Sequence, residues 1–106
     1  MLADQRAVPR KILRAKVMVA MDGMPPLQGR TIDICPQGLS LHFDHKLNPG
    51  QMGQMMYEIF LDGKAQVLTC RCKVNHCIFS GDQFKIGFQF INPDAAVTAA
   101  IAKYMR

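Results

Sequence analysis

The feature of this chain that most constrains its fold is the alternation of apolar and polar residues. In segment 84–90, apolar side chains occupy every second position, and the same period recurs in segments 13–21 and 39–43. Side chains two positions apart lie on the same face of a β-strand, so each segment has the pattern of a strand with one buried face. The chain is therefore predicted to be all-β over most of its length.

Turn-forming residues separate these segments. Asp62-Gly63, for example, is the strongest short hairpin signal available. The predicted strands cover residues 11–21, 27–34, 39–43, 52–61, 65–78 and 84–90. Six short strands joined by tight turns favour a small antiparallel barrel, and 106 residues leave room for one such domain.

The apolar period changes after residue 91. Asn92 is predicted to cap a helix, with Pro93 at the first helical position and Asp94 as an acid in the first turn. Four apolar side chains then fall on one helical face: Val97, Ala100, Ile101 and Tyr104. We therefore expect a C-terminal helix over residues 93–105 that packs against the barrel or plugs it, within one domain of residues 11–106.

Composition limits the class of protein and of partner. The chain is 49% hydrophobic and 20% charged, as in globular proteins, and no apolar run reaches the roughly 20 residues of a membrane-spanning helix. Its first residues lack the pattern of a secretory signal, so we expect a cytoplasmic protein without a membrane span. The net charge of +5 favours an anionic partner, which could be a nucleotide, a nucleic acid or a lipid head group.

The turn at residues 35–38 is predicted to shape a binding surface. Pro36 presets the second position of a type I turn, and Gly38 is expected to adopt the left-handed backbone conformation after it. Asp33 and Cys35 are two residues apart, so both side chains lie on one face beside this turn. A carboxylate there can accept hydrogen bonds from the ring N–H and amino groups of guanine.

Two arginines precede the first strand, in a polar segment over residues 1–10 that we expect to be a mobile arm. Arg6 and Arg10 suit a ligand that combines guanines with phosphates, because a guanidinium can pair with either group. A second pair with the same spacing, Arg10 and Arg14, is disfavoured because it would place a binding arginine inside the first strand.

These two features together resemble the paired signature of the PilZ family, RxxxR followed about two dozen residues later by D/N-x-S-x-x-G. The chain has Arg-Ala-Val-Pro-Arg at residues 6–10, a strand, and Asp-Ile-Cys-Pro-Gln-Gly at residues 33–38. Segment 86–90 is also similar to the glycine-containing last strand of that family. The resemblance therefore covers essentially the whole chain.

The resemblance implies a six-stranded antiparallel barrel with a C-terminal helix that binds cyclic di-GMP. In that family the arginine motif grips phosphate and guanine, which implies this role for Arg6 and Arg10. The second motif recognises guanine, which implies that role for Asp33, Cys35 and Gly38. Cys35 stands where serine is usual, and a thiol is a weaker hydrogen-bond partner, so we expect weakened binding rather than none.

The resemblance further implies a stand-alone receptor that is not an enzyme and needs no cofactor besides its ligand. Such a receptor would relay the signal to a downstream effector protein in motility, polysaccharide or biofilm control. A degenerate domain that binds proteins without nucleotide is the main alternative. Nucleic-acid binding is less well supported, because the sequence lacks an interleaved set of aromatic residues. The oligomeric state stays open.

The remaining cysteines and histidines are interpreted as structural. Cys70, Cys72, His76 and Cys77 lack the paired spacing of structural zinc sites, and we expect the cysteines to be reduced thiols in strands. The three histidines, His42, His45 and His76, match no catalytic motif and are expected at the surface or barrel rim.

Overall fold

The computed structural model describes residues 9–106, which form seven strands and one helix. The predicted arm over residues 1–10 therefore lies almost wholly outside the described residues, and so does Arg6. The elements are β1 (Lys11–Ile12), β2 (Lys16–Met21), β3 (Leu27–Cys35), β4 (Gly38–Phe43), β5 (Met52–Leu61), β6 (Lys64–Ser80), β7 (Gln83–Ile91) and α1 (Ala95–Met105).

Six of these strands form a closed antiparallel barrel in the order β2-β5-β6-β7-β4-β3. The barrel closes because β3 pairs with β4 along one edge and with β2 along the other. β1 lies outside the barrel and pairs with the end of β3, where Lys11 is opposite Ile34 and Ile12 is opposite Asp33. The predicted fold is confirmed, with one short strand added.

That added strand arises because the predicted strand over residues 11–21 is interrupted. The hydroxyl of Thr31 accepts a hydrogen bond from Ala15 N at 2.8 Å and donates one to Leu13 O at 2.6 Å. A buried side chain thus replaces part of the backbone ladder between β1 and β2. The alternation continues through the break, since Leu13 and Val17 are both buried.

The two sides of each strand have different environments. Inward-facing residues from all six barrel strands form one hydrophobic core, with Ile34, Leu39, Ile59 and Ile86 fully buried.

Between β5 and β6, Asp62 (φ 53°) and Gly63 (φ 79°) are both left-handed, as a two-residue hairpin of type I′ requires. The hairpin predicted at this position is confirmed.

The helix begins later than predicted, at Ala95. Asp94 is the N-cap, and its carboxylate accepts a hydrogen bond from Val97 N at 2.9 Å. The assignment of Asn92 as the cap is wrong, because Asn92 has a φ of 46° and belongs to the turn before the helix. Val97, Ala100 and Ile101 are buried in the barrel core, as their spacing predicts. Across residues 9–106, α1 is too short to qualify as a membrane-spanning helix.

Candidate functional site

The structure brings Arg10, Asp33 and Cys35 together on the outside of the barrel. The Nε and Nη2 groups of Arg10 both donate hydrogen bonds to Oδ1 of Asp33, at 3.0 and 2.8 Å. Nη1 of Arg10 lies 3.3 Å from Sγ of Cys35, and Nη2 lies 3.3 Å from Oγ of Ser40. We call these four residues the arginine cluster.

Strand pairing explains why Arg10 reaches this place. Lys11 and Ile12 pair with Ile34 and Asp33 in an antiparallel register. Arg10 directly precedes this pairing, so its side chain extends over the end of β3. Ser40 pairs with Asp33 from the other side, on β4. The cluster is thus assembled from β3, from β4 and from the residue that directly precedes β1.

The ion pair at the centre of the cluster is accessible to solvent. The side chains of Arg10 and Asp33 are 42% and 24% exposed. The hydrogen bond to Asp33 is the main cause that raises the pKa of Arg10, so the guanidinium stays charged. Partly exposed ion pairs contribute about 0–1 kcal/mol to folding. The arginine can therefore be redirected toward an anionic ligand without a large loss of stability.

Gly38 pairs with Cys35 of the cluster, but it does not have the predicted backbone conformation. The left-handed glycines among the described residues are Gly23, Gly50, Gly63 and Gly81, so the expectation for Gly38 is wrong. Gly38 pairs directly with Cys35, which closes a two-residue turn without an extra left-handed position. A β-carbon on Gly38 would lie 1.9 Å from Phe88 O, so the close approach of β7 is what requires glycine.

The competing arginine register is not supported by the geometry. Arg14 lines a separate groove, together with Arg30 and His42. Within residues 9–106, Arg10 is the arginine that pairs with Asp33, and it belongs to both registers. The role predicted for Arg6 falls outside residues 9–106 and stays a prediction.

Sequence reasoning missed residues on three strands that adjoin the cluster. A groove of about 380 Å³ is lined by Arg10 and Asp33 together with residues of β4, β6 and β7, among them Ser40, Asn75, His76, Lys85 and Gly87. Ser40 could have been found, because it follows Gly38 by two positions and so shares its face. The residues of β6 and β7 have no comparable local signal.

The other cysteines occupy the barrel wall. Cys70 and Cys72 are buried, and burial raises the pKa of Cys72 to about 12, so its thiol stays protonated. Cys77 is half-buried. His45 and His76 are exposed, whereas His42 is half-buried, and its Nδ1 atom has no hydrogen-bond partner in the described part of the chain. Within residues 9–106, no three His, Cys, Asp or Glu side chains converge as a metal site would require.

Comparison with known proteins identifies the domain type. The family model described as PilZ domain matches residues 4–106. No curated protein sequence matches the chain.

Solved structures share the fold at low sequence identity. The inhibitor of motility MotI/DgrA of Bacillus subtilis superposes with a TM-score of 0.83 at 10% identity, over 92% of this chain and 48% of that one. The PilZ domain of Escherichia coli YcgR, solved with c-di-GMP, has a TM-score of 0.72 at 13% identity, over 95% of this chain and 88% of that one. PlzA of Borreliella burgdorferi, in complex with c-di-GMP, has a TM-score of 0.63 at 13% identity, over 99% of this chain and 45% of that one. This chain therefore spans about half the length of MotI/DgrA and of PlzA.

Proposed function

Because the chain belongs to the PilZ family, we propose that it binds cyclic di-GMP at the arginine cluster and acts as a receptor rather than an enzyme. The observation that carries this proposal is the contact of Arg10 with Asp33, Cys35 and Ser40. Both sequence motifs meet in that contact. Two solved structures of the same fold are complexes with c-di-GMP, which supports the choice of ligand.

The chemistry of the cluster fits a ligand with guanine bases and phosphates. The carboxylate of Asp33 can accept hydrogen bonds from the N1–H and amino groups of a guanine, both of which are donors. The guanidinium of Arg10 can pair with a phosphate, fork onto O6 and N7 of guanine, or stack on the base. Arg6 would supply a second guanidinium from the preceding segment.

Signal relay follows from the position of Arg10 beside the N-terminal segment. Contact of Arg10 and Arg6 with the ligand would alter the surface that this end of the barrel presents to a protein partner. We propose that this changed surface binds a downstream effector in the cytoplasm.

Titration calorimetry with cyclic di-GMP, with GTP as the control ligand, tests the proposal. Arg10→Ala is expected to weaken binding by about 5- to 150-fold, the equivalent of about 1–3 kcal/mol for a bidentate contact. Asp33→Ala is expected to weaken it by a similar factor.

Arg71→Ala is a matched control. Arg71 makes a two-bond ion pair with Asp22, at 2.9 and 3.0 Å, and its side chain is 44% exposed, but it lies on β6 away from the cluster. This variant should bind like the wild type. Tight binding by Arg10→Ala contradicts the proposed site. Failure of the wild type to bind at high micromolar ligand favours the protein-binding adaptor instead.

A further inference from the structure

The groove beside the arginine cluster continues across two more strands. Asp33 pairs with Ser40, Ser40 pairs with Gly87, and Gly87 pairs with His76. Directly paired residues of adjacent strands lie on the same side of a sheet. These four residues therefore form one row on the outer barrel surface, running from β3 through β4 and β7 to β6.

The far end of the row carries an aromatic ring in an unusual position. A β-carbon on Gly87 would lie 2.4 to 2.9 Å from Cε1, Nε2 and Nδ1 of His76. The imidazole thus occupies the space above the Gly87 backbone that a side chain would otherwise fill. Because His76 is exposed, the ring remains open to solvent.

A bulge in β6 places His76 on this surface. The register shifts between Val74, which pairs with Phe88, and His76, which pairs with Gly87. Val74 is buried, so in a regular strand His76 would point inward as Val74 does. The extra residue, Asn75, reverses that orientation and sends the imidazole outward.

Lys85 adds a positive charge to the same end of the groove. It precedes Gly87 by two positions on β7, so the two residues share a face, and both line the groove. Lys85 takes part in none of the salt bridges found within residues 9–106. An ammonium group is therefore available beside an exposed aromatic ring.

We propose that His76 and Lys85 form a second half of the nucleotide site, in which the imidazole stacks on a purine and the ammonium binds a phosphodiester oxygen. This inference rests on the proposed function. The ends of the row are three strand spacings apart, roughly 14 Å. The arginine cluster and the His76–Lys85 pair therefore contact different halves of a cyclic dinucleotide.

Calorimetric titration with cyclic di-GMP separates this inference from the proposed function. His76→Ala is expected to weaken binding by about 5- to 150-fold, the range found for loss of base stacking. Lys85→Gln is expected to weaken it as well, and its difference from the wild type should shrink at high salt because the lost interaction is between charges. His45→Ala and Lys64→Gln, which change exposed residues outside the groove, are the controls and should bind like the wild type.

Gly87→Ala provides a second route to the same result. Its new methyl group meets the imidazole rather than backbone, so the ring must move while the fold remains. Binding should fall, although Arg10, Asp33, His76 and Lys85 are all retained.

Nuclear magnetic resonance distinguishes stacking from an indirect effect. On addition of cyclic di-GMP, the ring protons of His76 should shift upfield under the ring current of the stacked purine. If the wild type binds but His76→Ala and Lys85→Gln bind equally well and the His76 protons do not shift, the second half-site is wrong and the receptor function stands. If the wild type does not bind, both proposals fail.

Discussion

The sulfur atom of Cys35 accepts a hydrogen bond from Nη1 of Arg10 at 3.3 Å. Sulfur is a weak acceptor, so this contact orients the arginine less firmly than an oxygen would. Ser40 provides an oxygen from the neighbouring strand, 3.3 Å from Nη2 of the same arginine. The cluster therefore contains a hydroxyl even though the position that usually carries it holds cysteine.

Cys35→Ser is expected to tighten cyclic di-GMP binding by about 2- to 10-fold, because a hydroxyl accepts a stronger hydrogen bond worth about 0.5–1.5 kcal/mol. Calorimetry measures the change. Cys72→Ser is the contrasting control, since Cys72 is fully buried among apolar residues. An unpaired hydroxyl there should lower the free energy of unfolding in urea by about 1–3 kcal/mol. Weaker ligand binding by Cys35→Ser would contradict this account of position 35.

Gly38 and His76 show which kinds of residue a local sequence pattern can and cannot explain. The motif identified Gly38 as a site residue, but the reason for a glycine there is the carbonyl of Phe88 on a distant strand. His76 has no motif, and its outward orientation depends on a bulge. Local patterns predict residues that act through their neighbours in sequence, whereas these two act through contacts between strands.

Among the elements, the end of α1 holds β1, the strand that directly follows Arg10. The hydroxyl of Tyr104 donates a hydrogen bond to Ile12 O at 3.0 Å. Nζ of Lys11 donates to Tyr104 O at 2.8 Å and lies 4.5 Å from the centroid of the Tyr104 ring. The last turn of the helix therefore holds both residues of β1, directly after the proposed ligand-binding arginine.

Tyr104→Phe is expected to lower the free energy of unfolding by about 0.5–1.5 kcal/mol, because it removes one hydrogen bond and leaves Ile12 O without this donor. Ligand binding should weaken modestly, since β1 then positions Arg10 less firmly. Urea unfolding and calorimetry measure the two effects.

The matched control is Tyr57→Phe. The hydroxyl of Tyr57 is buried in the core and has no hydrogen-bond partner within residues 9–106, and burial raises the pKa of this phenol. Its removal should leave stability unchanged or raise it. Equal stability of Tyr104→Phe and the wild type would show that the contact with Ile12 contributes nothing.

The strands and helix were predictable because their signals are local, while their ends were less so. Alternation and turn residues together identified the segments that became β2 to β7, and period 3.6 identified the buried face of α1. The break between β1 and β2 was missed because it depends on the hydroxyl of Thr31 from another strand. The helix start was misplaced because both Asn92 and Asp94 are good capping residues, and only the backbone geometry decides between them.

In the whole molecule, the proposed site crosses the β3–β4 pairing that closes the barrel and the β4–β7 pairing beside it. The pairing of β4 with β7 joins segments that are far apart in sequence, and it places Ser40 beside Gly87. No local pattern specifies that pairing, so the sequence predicted a barrel but not the groove across its wall. A ligand in this groove would contact four neighbouring barrel strands and Arg10 at once.

This arrangement predicts that ligand binding stabilises the entire barrel rather than one hairpin. A ligand that binds only the folded state, at a concentration 100 times its dissociation constant, adds about 2.7 kcal/mol to the free energy of unfolding. For a domain of this size, each added kcal/mol raises the melting temperature by about 4–8 °C. The ligand should therefore raise it by roughly 10–20 °C, in a single transition. Arg71→Ala should show the same rise, and GTP should produce none.

Arg10→Ala, at the same ligand concentration, should show a much smaller rise because its binding is weakened. A large rise with Arg10→Ala, or separate transitions for different parts of the barrel, would be incompatible with a ligand bridging the closing strands through that arginine.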